Sequence, residues 1–167
     1  MSYSPSYTGT TTSQLWSALN SDIITRNQLA GILAIDQLDS VGFFVRPCFF
    51  VFNSAPSWEA GRHWLCLYMP QKLDSPIEFF DSEAKPISYY DKSLETFIMR
   101  FASSYMYSSV RVQAPHSSTC GAYVLFFACH RCRDISFVNI VNILNTKSSE
   151  LTVEMLVRQF YPGVNSR

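Results

Sequence analysis

Apolar positions along this chain follow two rhythms, and each predicts a different element. Leu15, Trp16 and Leu19 fall at helical spacing after Ser13, a suitable N-cap, and Ile23 begins a second apolar patch. Gly31–Leu38 (GILAIDQL) reads as a loop or short extended piece in which Asp36 is the only charge. Cys48–Phe52 (CFFVF) lies between Pro47 and an Asn-Ser-Ala-Pro break, and its aromatic and β-branched make-up predicts a buried strand. After His63, the run Trp64–Met69 is apolar at every position, as a strand covered on both faces requires. Pro70–Pro76 supplies a turn, and Ile77–Asp81 returns as a second strand. Tyr90–Tyr105 carries Leu94, Phe97, Ile98 and Phe101 at helical spacing, and Val110–Gln113 looks like a short alternating strand. Phe137–Leu144 and Leu151–Phe160 read as two further helices, the last closed by Pro162-Gly163. Residues 1–12 hold little to bury and are expected to form a flexible tail, with 13–167 a single domain.

The most informative stretch is Gln113–His130, QAPHSSTCGAYVLFFACH. A polar loop runs straight into Cys120 and then into an almost wholly apolar run, so the cysteine stands where a buried helix begins. The first turn of a helix has unpaired N–H groups and the positive end of the helix dipole, and both favour a thiolate. The same N–H groups, with the Gln113 side-chain amide beside them, are suited to hold a developing oxyanion. Against this stands the commoner role of a free cysteine as a small buried hydrophobe. The catalytic reading therefore depends on a histidine that can reach the thiol.

The strand pair about Lys72 or Leu73 supplies one, because folding there brings the start of the first strand beside the end of the second. His63 and Asp81 become neighbours, and a carboxylate on an imidazole fixes its tautomer and stabilises its protonated form. A slip in register would bring Ser82 or Glu83 forward instead, which makes Glu83 the reserve acid. An exposed cross-strand polar pair would look the same in sequence. His116 reads as a solvated loop residue. Cys129-His130-Arg131-Cys132 lies deep in the predicted helix, with no second cysteine pair to complete a zinc site, and reads as structural. Asp36 is either a solvated loop residue or a substrate contact.

Composition narrows the classes. With 167 residues and 47% hydrophobic content the chain can bury a core without disulfides or metals. Thirteen basic and thirteen acidic side chains cancel, so net charge gives no support to nucleic acid as a partner, a local basic patch aside. The start MSYSPSYTGTTTSQ lacks the pattern of a secretory signal, and no apolar run reaches the about 20 residues of a membrane span. Five scattered cysteines, an odd number, suit a reducing compartment.

His63-Trp64, then Asp81-Ser82, then Gln113 and Cys120 in the pattern Q-x-P-x-S-x-x-C-G resemble the adenovirus-type cysteine endopeptidases, adenain and its relatives, and more distantly the SUMO proteases. The similarity covers about Gly31–Cys132, and the order His, acid, Gln, Cys is its most specific part. Papain-like enzymes place the cysteine first. The resemblance implies an α+β fold with a central, mainly antiparallel mixed sheet packed by helices and the nucleophile at the start of a buried helix. It makes Cys120 the nucleophile, His63 the base and acid, Asp81 the orienting acid and Gln113 an oxyanion donor, with Trp64 lining a groove that favours small residues, especially glycine, before the cut. It also implies a polypeptide substrate such as viral capsid and core precursors, with no cofactor or metal, in the virion and the infected-cell nucleus or cytoplasm. Adenain carries Glu in the acid position, whereas Asp81-Ser82 is similar to the SUMO proteases. Phe101–Val112 has no cysteine to anchor an activating peptide, and adenain's basic character is missing, so neither peptide nor DNA activation is expected. A SUMO or ubiquitin-like-modifier protease, an effector acetyltransferase with the same triad and an inactive binding module are the alternatives.

Overall fold

The structure, a computed structural model, describes residues 9–160. In chain order come α1 (Thr12–Ser21), α2 (Ile23–Gln28), β1 (Leu29–Ala34), a 3-10 turn (Ile35–Ser40), β2 (Cys48–Asn53), β3 (Trp64–Met69), β4 (Ile77–Phe80), a second 3-10 turn (Ile87–Tyr89), α3 (Lys92–Phe101), β5 (Tyr105–Tyr107), α4 (Cys120–Arg131), α5 (Phe137–Leu144) and α6 (Ser149–Phe160). The five strands form one mixed sheet in the order β1-β2-β3-β4-β5. Its centre is antiparallel, β2 with β3 and β3 with β4, and each edge strand is added parallel.

Every residue of β2 and β3 is buried, because helices cover both faces of the sheet. On one face Phe49, Val51, Trp64, Cys66, Tyr68 and Phe80 pack against α4 and the helices around it. On the other, Phe50, Phe52, Leu65, Leu67 and Phe79 meet α3 and the first 3-10 turn. Helix α4 is apolar on all sides and buried from Cys120 to Cys129, which is how a helix in the middle of a core must read. Phe80 and Phe127 stack with centroids 4.5 Å apart, joining that helix to β4. At its far end Arg131 makes a two-pronged bond to Glu78 at 2.7 and 3.1 Å and lies over the Tyr68 ring.

Several expectations need correction. Of the loop or short extended piece expected at Gly31–Leu38, the first half is extended, in β1, and only the second departs from it, as a 3-10 turn. The strand expected at Val110–Gln113 is absent; β5 lies earlier, at Tyr105–Tyr107, and Val112 and Gln113 instead donate their backbone N–H groups to the Ser82 carbonyl, each at 3.0 Å. Tyr90–Tyr105 contains a shorter helix, since Asp91 caps α3 and Ala102 ends it. The N-cap of α1 is Thr11, in a capping box with Gln14, and Trp16 is 56% exposed while Leu15 and Leu19 are buried. The Pro162-Gly163 stop and residues 1–8 of the expected tail lie outside the described residues. From residue 9 onward the tail expectation fails, because Thr10 is buried.

That N-terminal segment packs beside the nucleophile. The Trp64 indole donates to the Thr10 carbonyl at 2.7 Å, and a Cβ on Gly121 would lie 2.5 Å from the Thr10 side chain. Gly121→Ala should therefore push residues 9–11 off Trp64. A loss of roughly 1–3 kcal/mol in denaturant unfolding is expected, together with a red shift in tryptophan emission. An unchanged midpoint would show that the segment does not need this close approach.

Candidate active site

Strand register explains how His63 reaches its acid. The β3–β4 ladder ends at Cys66 opposite Phe80, and continuing it would place Glu83, not Asp81, across from His63. Asp81 wins because β4 stops at Phe80 and the chain turns at once, with Ala84 N–H donating to the Asp81 carbonyl at 3.0 Å. His63 Nε2 then lies 2.7 Å from Asp81 Oδ1. Glu83 turns away and pairs with Lys85 at 2.6 Å and Arg111 at 3.8 Å.

The Asp81 carboxylate is nearly saturated. Besides His63 it accepts from Glu83 N–H at 2.8 Å, Lys85 N–H at 3.0 Å and the Tyr90 hydroxyl at 2.6 Å. Burial alone would raise its pKa, but the bonds and charge from His63, with the Tyr90 and backbone donors, outweigh that and hold it below the usual carboxylate range. Tyr90 moves the opposite way, its hydroxyl held protonated by burial and the adjacent Asp81 charge.

His63 is hydrogen-bonded to Asp81 at 2.7 Å, and Cys120 lies close enough on the same cleft to act on its charge. Nε2 faces the acid, which leaves Nδ1 for the thiol. Burial works against the imidazolium, yet the hydrogen bond and charge of Asp81, with Cys120 close by, prevail and raise its pKa to about 9. Cys120 opens α4 directly after Thr119, where the first backbone N–H groups have no acceptor within the helix.

Gln113 is fixed beside this pair. Its Oε1 accepts from the buried Ser82 hydroxyl at 2.6 Å, and its Nε2 donates one hydrogen to the Ser117 carbonyl at 2.7 Å. Nε2 carries a second hydrogen that the Ser117 bond does not use. Ser82 Oγ and its carbonyl thus hold the side chain and the backbone of one residue. Glu150, on α6, clamps the loop that follows, accepting from Ala114 N–H at 2.8 Å and from the Ser117 and Thr119 hydroxyls at 3.0 Å each.

These groups open into one cleft of about 1660 Å³ whose walls include His63, Trp64, Gln113 and Cys120. Asp36 sits on the same cleft and accepts from Ser57 at both oxygens, 2.7 Å each, so it pins the β2–β3 loop to the wall. His63, Asp81, Gln113 and Cys120 are brought together, Trp64 borders them, and Asp36 lies on the rim. Sequence reasoning gave Ser82 and Glu150 no supporting role. Ser82 was flagged by the Asp81-Ser82 pair, whereas Glu150 left no local signal. His116 is exposed, and Cys129 and Cys132 are buried, with burial pushing the Cys132 thiol up to about 12. Among the described residues no cluster of His, Cys, Asp and Glu is placed to hold a metal, and no helix is long and apolar enough to cross a membrane.

Removing Ser82's hydroxyl should cost activity without touching the reacting atoms. Ser82→Ala leaves Gln113 Oε1 unpaired and free to swing, so kcat is expected to fall by about tenfold, and Gln113→Ala by about 10²–10³. A pure KM effect in Gln113→Ala would place that amide in substrate binding instead.

No family model matches the chain, and none of the curated proteins does. Among solved structures, the ASFV pS273R protease in its selenomethionine form superposes with TM-score 0.58 at 18% identity, over 93% of this chain and 68% of that one. A second structure of the same protease gives 0.53 at 15% identity, over 86% of this chain and 64% of that one. The central domain of an uncharacterized Legionella pneumophila protein, Lpg1148, gives 0.50 at 10% identity, over 82% of this chain and 89% of that domain. These likenesses support the general fold and do not single out the adenovirus type. The chain shares the α+β fold of these structures.

Proposed function

We propose that the chain is a cysteine endopeptidase in which Cys120, His63, Asp81 and Gln113 carry the chemistry. The observation that carries this reading is the Asp81–His63 hydrogen bond in the cleft that Cys120 and Gln113 also line. Deprotonated Cys120 Sγ attacks the substrate carbonyl carbon, and the carbonyl oxygen becomes an oxyanion held by Gln113 Nε2 and the helix-start N–H groups. The His63 imidazolium gives its Nδ1 proton to the leaving amine, and the thioester remains. Water, losing a proton to His63, then releases the acid and restores the thiol. Trp64 on the cleft wall suits a small residue, glycine first, before the cut, and viral capsid and core precursors are the substrates we favour, within the virion or the infected cell. The test is a panel of Gly-containing peptides with cut positions read by mass spectrometry; no cleavage by a thiol-competent protein would refute the reading.

The pH dependence follows from His63. Its raised pKa keeps the leaving-group acid protonated well above the ordinary 6.5, so kcat/KM is expected to fall only as pH rises through about 9. Asp81→Asn should move that limb downward, because Asp81 is one of the groups that raise it. Stability follows with the same sign: the His63 contribution is complete below about 6.5 and is lost as pH rises through about 9. The Asp81 contribution is present above the ordinary 3.8 and is lost as pH falls through its depressed value. A limb near 6.5 in the unsubstituted protein would show that Asp81 and Cys120 do not hold the imidazolium.

A further inference from the structure

A second concavity, of about 660 Å³, lies away from the cysteine. It is bounded by the loop Gly42–Arg46 ahead of β2, the β3–β4 turn at Gln71 and Leu73, and Arg100 and Phe101 at the end of α3. β2 starts at Cys48 opposite Met69 and ends at Asn53 opposite Trp64. The groove and His63 are therefore at opposite ends of these strands, roughly 20 Å apart along them.

Three large apolar side chains stand in solvent here: Phe43 is 94% exposed, Val45 71% and Leu73 75%. Their exposure is not a sign of a loose loop. Phe44 between the first two turns inward, its ring 5.2 Å from Phe50 and 4.8 Å from Phe101, so its neighbours are held outward. Apolar groups gathered this way mark surfaces that meet a partner.

The groove also holds two arginines for which the described residues supply no carboxylate partner. Arg100 donates to the carbonyls of Leu38, Asp39 and Val41 and lies over the Phe97 and Phe101 rings. Arg46 donates Nη2 to the Phe101 carbonyl at 2.8 Å, while its buried Nη1 has no hydrogen-bond partner. Among the described residues neither arginine is paired with a carboxylate, and no carboxylate lines the groove.

We propose that this groove docks a polypeptide segment that presents a carboxylate side chain between bulky apolar ones. The carboxylate supplies a counter-charge to Arg46 and Arg100 on the groove wall, and the apolar residues cover Phe43, Val45 and Leu73. A groove between two loops admits a single chain, and the excess of basic charge that draws a protein to a bilayer is reduced here by Asp74 beside Leu73. Docking here leaves the cleft around Cys120 open.

The test uses the full chain and fluorescein-labelled peptides of about twelve residues in which Asp or Glu alternates with Phe or Leu, read by anisotropy. One control set carries amides for the acids, the other alanine for the apolar residues. The acidic-apolar peptides should bind saturably, and both control sets about tenfold more weakly. Phe43→Ser and Leu73→Ser, which change exposed side chains, should each weaken binding by about fivefold or more, and about 0.5 M salt should weaken it too. Arg46→Gln should do the same wherever its circular dichroism matches the parent. Iodoacetamide labelling of Cys120 should be unaffected by the bound peptide. Absence of binding, equal binding of the amide controls, or indifference to Phe43→Ser and Leu73→Ser would overturn the proposal. So would co-sedimentation with phosphatidylserine vesicles, or self-association in the ultracentrifuge, that the same two variants abolish without any peptide binding, since the face would then belong to a bilayer or to a second copy.

Discussion

Cys120→Ala is expected to abolish peptide cleavage, with a fall in kcat on the order of 10⁶, since removing a nucleophile leaves only the oxyanion donors and substrate binding. His63→Ala should cost about as much, and the double variant little more, because the two act as one unit. The same cysteine should be the first to react with iodoacetamide. It faces the cleft with His63 against it, while Cys48 and Cys66 lie inside central strands and Cys129 and Cys132 are buried at the far end of α4. Burial raises the Cys48 thiol to about 11, the Cys132 thiol to about 12 and Cys66 well above its ordinary range, which lowers their thiolate fractions further. First labelling at Cys129 or Cys132 with activity intact would remove Cys120 from the mechanism.

Asp81→Asn should lower kcat by about 10²–10⁴ and leave a measurable remnant, because the acid orients the imidazole and stabilises its charge without taking a proton. An amide here has one acceptor oxygen where four donors converge, from His63, Glu83, Lys85 and Tyr90. Its NH₂ must face at least one of them, so the His63 tautomer and the turn after β4 are both disturbed. Glu83→Gln is the control that separates this from a general charge effect. Its carboxylate pairs with Lys85 and Arg111 rather than with the imidazole, and it should be close to silent in kcat. A silent Asp81→Asn beside a damaging Glu83→Gln would mean that the acid is the residue two positions on, the one continued strand register would choose.

That near miss shows what a linear pattern can carry. The continuous apolar runs of β2 and β3 and the one after Cys120 are direct consequences of burial on all sides, so the central strands and α4 were readable. β1 and β5 were not. Leu29–Ala34 is only partly buried, and Tyr105–Tyr107 is a three-residue edge strand, so neither shows the pattern that full burial imposes on the centre. The shared signal around Val110–Gln113 was misread for a related reason: its backbone donors go to one carbonyl in the β4 turn instead of a ladder.

The linear order of the candidate groups was readable in the chain: a histidine before a strand, an acid after its partner strand and a cysteine opening an apolar helix. Side-chain type and spacing suffice for that, because hydrophobic burial and helix ends follow local pattern. Folding fixed the rest: which acid meets the imidazole, that Ser82 locks Gln113, that Glu150 from α6 clamps the loop before Cys120, and that Thr10 seals one side of Trp64. Those contacts join residues remote in the chain, and their geometry depends on where strands stop and how helices pack, which no local pattern encodes.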